Sequence, residues 1–107
     1  MTESIPIDVL QTAVFADWLA GLRDRRAQTK IVSRIDRAAF GLFGDHKRFD
    51  GLLELRIDHR PGYRLYAVQR DKALVILLCG GEKGSQRRDI TRAKALAADV
   101  DRDRAKE

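Results

Sequence analysis

An α+β fold is predicted: an antiparallel β-sheet with helices packed against it, in the order β-α-α-β-β-β-α. Three observations lead there. Two stretches in the first half repeat their apolar residues at helical spacing. Two stretches in the second half read as strands joined through Pro61-Gly62, the pattern of a hairpin. Ala73 to Cys79 is apolar at every position, as expected for a central strand covered on both faces.

Each element has its own signal. Ile5, Ile7 and Val9 alternate with Pro6, Asp8 and Leu10, a short first strand. Pro6 cannot donate to a ladder, which suits an edge or a strand start. From Thr12 the period changes: Phe15, Trp18, Leu19 and Leu22 form a helical stripe, with Thr12 as cap and Gly21 at its end. A second helix spans about Ala27 to Phe40, with Ile31, Ile35 and Ala38 or Ala39 inward and Lys30, Arg34 and Arg37 on one other face. Gly41, Gly44 and Asp45 break it. Leu53, Leu55 and Ile57 alternate with Glu54, Arg56 and Asp58, a strand with one wet face. Pro61-Gly62 predicts a type II turn into a return strand, Tyr63 to Gln69. Asp71-Lys72 turns the chain into the apolar strand, which Gly80-Gly81 ends. Ile90, Ala93, Leu96, Ala97 and Val100 give a last helix capped by Asp89, and Asp101 to Glu107 reads as a frayed charged tail.

A chain of 107 residues is expected to form one domain over 1–107. Charged residues reach 35%, and 21 Lys and Arg against 16 Asp and Glu give a net charge of +5. That excess favours a polyanionic or acidic partner. The one cysteine excludes an internal disulfide, and two distant histidines point to no zinc site, so neither metal nor cofactor is expected. The apolar run Ala73 to Cys79 is far short of the ~20 residues that span a bilayer. Met1 to Asp8 lacks a basic n-region, so no signal peptide is read and a cytoplasmic location is the expectation.

The residues that could carry chemistry are cationic and gather at one end of the predicted sheet. Arg56 sits on the wet face of its strand between Glu54 and Asp58. Arg64 and Tyr66 share a face of the next strand, and the hairpin register decides whether they join Arg56. Lys83 and Gln86 follow the apolar strand. An arginine fork pairs two phosphate oxygens, lysine acts as a mobile point charge, and tyrosine can stack on a base or move a proton. Together they make a cradle for a phosphodiester. Plainer roles compete. Arg56 can be an ion-pair partner of Glu54, and Arg64 of Asp58. Tyr66 can be a sheet former and Arg34 and Arg37 part of a solvated helix face. Cys79 reads as a buried inert thiol, and His46 and His59 have no visible partner in the sequence. Gly80-Gly81 matches no phosphate-loop spacing.

Several of these strings together resemble a known family. Glu54-Leu-Arg-Ile57, Pro61-Gly-Tyr-Arg-Leu-Tyr66, Leu78-Cys-Gly-Gly-Glu-Lys83, Gln86, and Asp89-Ile90 with Ala93 resemble the RelE/ParE toxin superfamily. Phe15-Ala-Asp-Trp-Leu19 with Leu22, and Gly44-Asp45-His-Lys47, are similar to its phage-type addiction-module killer proteins, which are HigB-like toxins. The resemblance covers about residues 5–98. Departures are visible: Leu52 and Glu54 stand where RelE proper carries lysines, Ile90 stands near its tyrosine, and no histidine or tyrosine follows Tyr66.

The resemblance implies a RelE-like fold and the toxin of a type II toxin-antitoxin module, held by a cognate antitoxin, a small helix-turn-helix protein. Many such toxins cleave mRNA on the ribosome; the ParE branch inhibits DNA gyrase and cleaves nothing. The first reading here is therefore a ribosome-dependent endoribonuclease, with Arg64, Lys83 and Tyr66 as catalytic residues and Arg56, Lys47, Gln86, Arg34 and Arg37 as RNA contacts. Glu54 is either a base or the partner of Arg56. A gyrase inhibitor and a non-cleaving RNA- or ribosome-binding domain remain open beside it.

Overall fold

The computed structural model describes residues 6–106. It is an α+β fold of five strands and three helices in the order β-α-α-β-β-β-β-α. The elements are β1 (Asp8–Gln11), α1 (Ala13–Ala20), α2 (Arg25–Ala38), β2 (His46–Phe49), β3 (Leu52–Ile57), β4 (Tyr63–Arg70), β5 (Leu74–Glu82) and α3 (Gln86–Ala105), with a 3-10 turn at Lys83–Ser85. The strands lie in the order β1-β5-β4-β3-β2. Every neighbouring pair is antiparallel except β1 and β5, which run parallel.

Alternation along the strands builds two cores, one on each face. Leu53, Leu55, Ile57, Leu65 and Leu77 face α1 and α2, where Phe15, Ala27 and Ile31 meet them. Tyr66, Val68, Ile76 and Leu78 face α3, where Ala93 meets them with Ile90, Leu96 and Val100. A register shift between Tyr66 and Ala67 leaves Leu78 unopposed, so Leu78 and Cys79 both fall on the α3 side. Two N-caps set the helices on the other face. The Thr12 hydroxyl accepts from Phe15 N and donates to the Leu78 carbonyl, fixing α1 to the sheet. The Asp24 carboxylate accepts from Arg26 N and Ala27 N at the start of α2.

Five expectations need correction. The first strand begins at Asp8, and Ile5 lies outside the described residues. β2 is an added edge strand: three of its four residues are exposed, so no apolar alternation marks it. Gly80 and Gly81 do not end β5, which runs to Glu82. They admit close neighbours instead, since a Cβ at Gly80 would run into the Trp18 ring and one at Gly81 into the Asp89 carboxylate. The hairpin turn closes one residue early: Gly62 N–H donates to the His59 carbonyl, which puts Arg60 and Pro61 at the turn centre rather than Pro61 and Gly62. Finally, α3 starts at Gln86, so Asp89 lies within its first turn and caps nothing, and it continues to Ala105 through the segment read as a frayed tail. Asp101 pairs with Arg70 on β4 and Arg104 with Asp71, which ties those turns down.

Candidate functional site

The hairpin register brings the central residues together. Arg56 on β3 and Arg64 on β4 are direct cross-strand partners, as are Glu54 and Tyr66 two residues along. Like charges placed directly opposite each other across two strands are destabilising. The next strand supplies a third cation. Lys83 N donates to the Gly62 carbonyl at 2.9 Å, which fastens the residue after β5 to the hairpin turn. Arg56, Arg64 and Lys83 thereby line one open cleft of about 280 Å³, with Arg60 from the turn and the carboxylates Asp45 and Asp58.

What lies under the cleft holds these charges in place. Glu54 is fully buried. Its two oxygens accept from Arg56 Nε and Gln86 Nε2, both at 3.0 Å. A buried carboxylate is tolerated only when so partnered, and here it fixes the orientation of Arg56. Glu54 is thus the ion-pair partner of Arg56 and is closed off from the cleft. The guanidinium of Arg34 donates to the carbonyls of Arg56, Phe43 and Asp45, pinning the loop before β2 to the end of β3. Among the described residues Arg64 makes no ion pair, and neither do Lys83 and Arg60. The terminal nitrogens of Arg56 have no hydrogen-bond partner there either, so the cationic side of the cleft is open to an anion.

The other nominated residues separate. Tyr66 is fully buried under α3, and its hydroxyl meets no hydrogen-bond geometry among the described residues. Burial first, then the neighbouring Glu54 carboxylate, pushes its pKa well above the ordinary tyrosine range. A buried ring cannot stack on a base from solvent, so the expected direct role of Tyr66 is corrected to a core one. Gln86 reaches the cleft only through Glu54. Lys47 lies on the edge strand opposite Glu54, outside the cleft, with its ammonium 5.6 Å from the Phe49 ring centre. Arg34 and Arg37 stand on α2, across the sheet from α3. Arg34 commits its terminal nitrogens to three carbonyls as a structural clamp, and the exposed Arg37 lines a separate depression with Lys30, Ile57 and Asp58 rather than the Arg56–Arg64 cleft.

Two further histidine and cysteine readings resolve. His59 does have a partner: its Nε2 lies 2.8 Å from Asp24 Oδ2, and its ring stacks on Tyr63. Burial pushes the Cys79 thiol up to about 11, in keeping with an inert thiol. Sequence reasoning missed Arg60, because a charged residue in a turn carries no periodic signal; its position before Pro61 was the available clue.

No family model matches the sequence. An uncharacterized protein from Haemophilus influenzae is 48% identical over 95 residues, which covers 88% of this chain and 96% of that protein. Among solved structures, the toxin-antitoxin complex RelBE2 from Mycobacterium tuberculosis contains a chain that aligns with a TM-score of 0.59 at 20% identity, covering 74% of this chain and 100% of that one. That likeness establishes a RelE-like fold. No described helix is long and apolar enough to cross a membrane.

Proposed function

The chain belongs to the same family as the Haemophilus influenzae protein and has a RelE-like fold, and on that footing we propose that it is the toxin of a type II toxin-antitoxin module. Within that class it is read as a phage-type, HigB-like killer protein of the cytoplasm, held by a small helix-turn-helix antitoxin, that cleaves mRNA on the ribosome. The observation that carries the RNA reading is the cross-strand pair Arg56 and Arg64 with Lys83 at its side, three cations that among the described residues make no ion pair except that of Arg56 with the buried Glu54 beneath.

The chemistry suited to such a site is transfer within the RNA backbone. A 2′-oxygen bonds to the adjacent phosphorus, the bond from phosphorus to the 5′-oxygen breaks, and a 2′,3′-cyclic phosphate and a 5′-hydroxyl result. The phosphate gains negative charge on the way, which two arginine forks and a lysine stabilise. The 2′-hydroxyl proton goes to a base. Asp45 and Asp58 are the carboxylates lining the cleft and take that role, while the 5′-oxygen draws its proton from Lys83 or water.

A second reading, RNA or ribosome binding without cleavage, is favoured by one observation: Tyr66, the nominated proton carrier, is sealed in the core. Expression of the chain alone should arrest bacterial growth, and co-expression of the antitoxin encoded beside it should restore growth. Healthy growth at high soluble expression would overturn the toxin reading. Arrest with intact RNA and altered DNA supercoiling would move it to gyrase inhibition.

A further inference from the structure

The cations of α3 divide sharply along its length. In the later turns, Lys94 pairs with Asp50, Arg102 with Asp99 and Arg104 with Asp71. In the first two turns, Arg87, Arg88 and Arg92 are exposed and, among the described residues, make no ion pair. Their position is electrostatically unfavourable. Arg87 and Arg88 sit at the positive end of the helix dipole, and Arg88 and Arg92 are like charges at i and i+4. The acid of that first turn, Asp89, is buried and takes the Ser85 hydroxyl instead. Three exposed cations with no carboxylate partner among the described residues leave this end of α3 free to take an anion from outside the molecule.

We propose that Arg87, Arg88 and Arg92 form a second contact strip for single-stranded RNA, continuous with the Arg56–Arg64–Lys83 cleft and gripping the strand as it leaves. The inference builds on the RNA reading of that cleft. Continuity is the reason for choosing RNA over an acidic protein. Lys83 lines the cleft, and the surface depression that starts at the next residue, Gly84, is lined by Arg87, Arg88 and Thr91. The space around Gly84 is open, since a Cβ there would meet nothing within 4 Å. Arg88 and Arg92 are one turn apart, about 6 Å along the axis, on the scale of one nucleotide step. Both also line a groove beside Trp18 together with the carboxylates of Asp89 and the exposed Glu82.

The test is binding of a fluorescein-labelled 20-mer of 2′-O-methyl uridine, which lacks the attacking hydroxyl, measured by anisotropy from 50 to 200 mM KCl. The full chain, the triple variant Arg87→Gln/Arg88→Gln/Arg92→Gln and the double variant Arg56→Gln/Arg64→Gln are compared. The triple variant should lose about 2 units of the log-log salt slope, about 0.7 per cation, and bind roughly tenfold more weakly at 50 mM. It should melt at or above the wild-type temperature, because its arginines repel one another. Wild-type affinity and slope in the triple variant would overturn the strip and leave the cleft standing. Unchanged binding in the double variant alone would uphold the strip and count against the cleft. A lower melting temperature in the triple variant, absence of binding by the wild type, or equally effective displacement by poly-glutamate would each overturn the strip.

Discussion

Arg64 stands where its charge is least useful to folding. It faces Arg56 across two strands, has no ion pair among the described residues, and opens onto the cleft. Removing it should therefore harm activity and spare the fold. Arg64→Ala is expected to lower RNA cleavage about a hundredfold, the effect of ~3 kcal/mol of lost transition-state stabilisation. Arg64→Lys should recover only part, since it keeps the charge and loses the fork. Both should melt within a few degrees of wild type. Tyr66→Phe makes the opposite case on the neighbouring position. Its hydroxyl is buried beside the Glu54 carboxylate and meets no hydrogen-bond geometry among the described residues, so its loss should leave stability close to wild type and activity within a few-fold. Cleavage rates beside thermal melts decide both. The sequence could place Arg64 and Tyr66 on one strand face, but the depth to which α3 covers that face depends on long-range packing, which alternation does not encode.

At the scale of elements, the two hairpin strands and the Thr12 cap of α1 were legible because their signals are local, whereas the Asp24 cap of α2 went unread and Asp89 was misread as a cap. Thr12 before a helical stripe and alternation around Arg56 need only a few neighbouring residues to be read. β2 was not legible: His-Lys-Arg-Phe has no alternation, and it becomes a strand because β3 offers an open edge and Arg34 pins the loop that leads to it. The end of α3 was hidden for a similar reason, since its charges are satisfied by Arg70 and Asp71, thirty and more residues away in sequence. One such long-range pair has a pH consequence. His59, next to the hairpin turn, binds the carboxylate that caps α2, and this hydrogen bond, with those from the α2 backbone, holds Asp24 below its ordinary pKa. A carboxylate with a depressed pKa stabilises the fold above its unfolded value and loses that contribution as pH falls through the folded one. Asp101, lowered by Arg70, acts in the same direction. Melting temperature should therefore fall between about pH 5 and pH 2. Asp24→Asn, which keeps a capping side chain, should flatten that fall, and a curve of unchanged steepness would show that the pair contributes nothing.

For the whole molecule, the fold supplies a sheet whose two faces are covered by different helices, with the cationic cleft at one end where the β3–β4 turn meets the start of α3. Strand and helix patterning were enough to predict the α+β fold, and net charge raised the expectation of an anionic partner; the cleft itself required the register of three strands and a turn. The most direct measurement is the mapping of mRNA 5′ ends in bacteria expressing the wild-type chain or the Arg56→Gln/Arg64→Gln variant. The wild type should create new 5′ ends only within translated regions, and these should vanish when translation initiation is blocked and in the variant. Growth arrest with no new 5′ ends, or equal cutting of untranslated RNA, would contradict a ribosome-dependent nuclease built on this cleft.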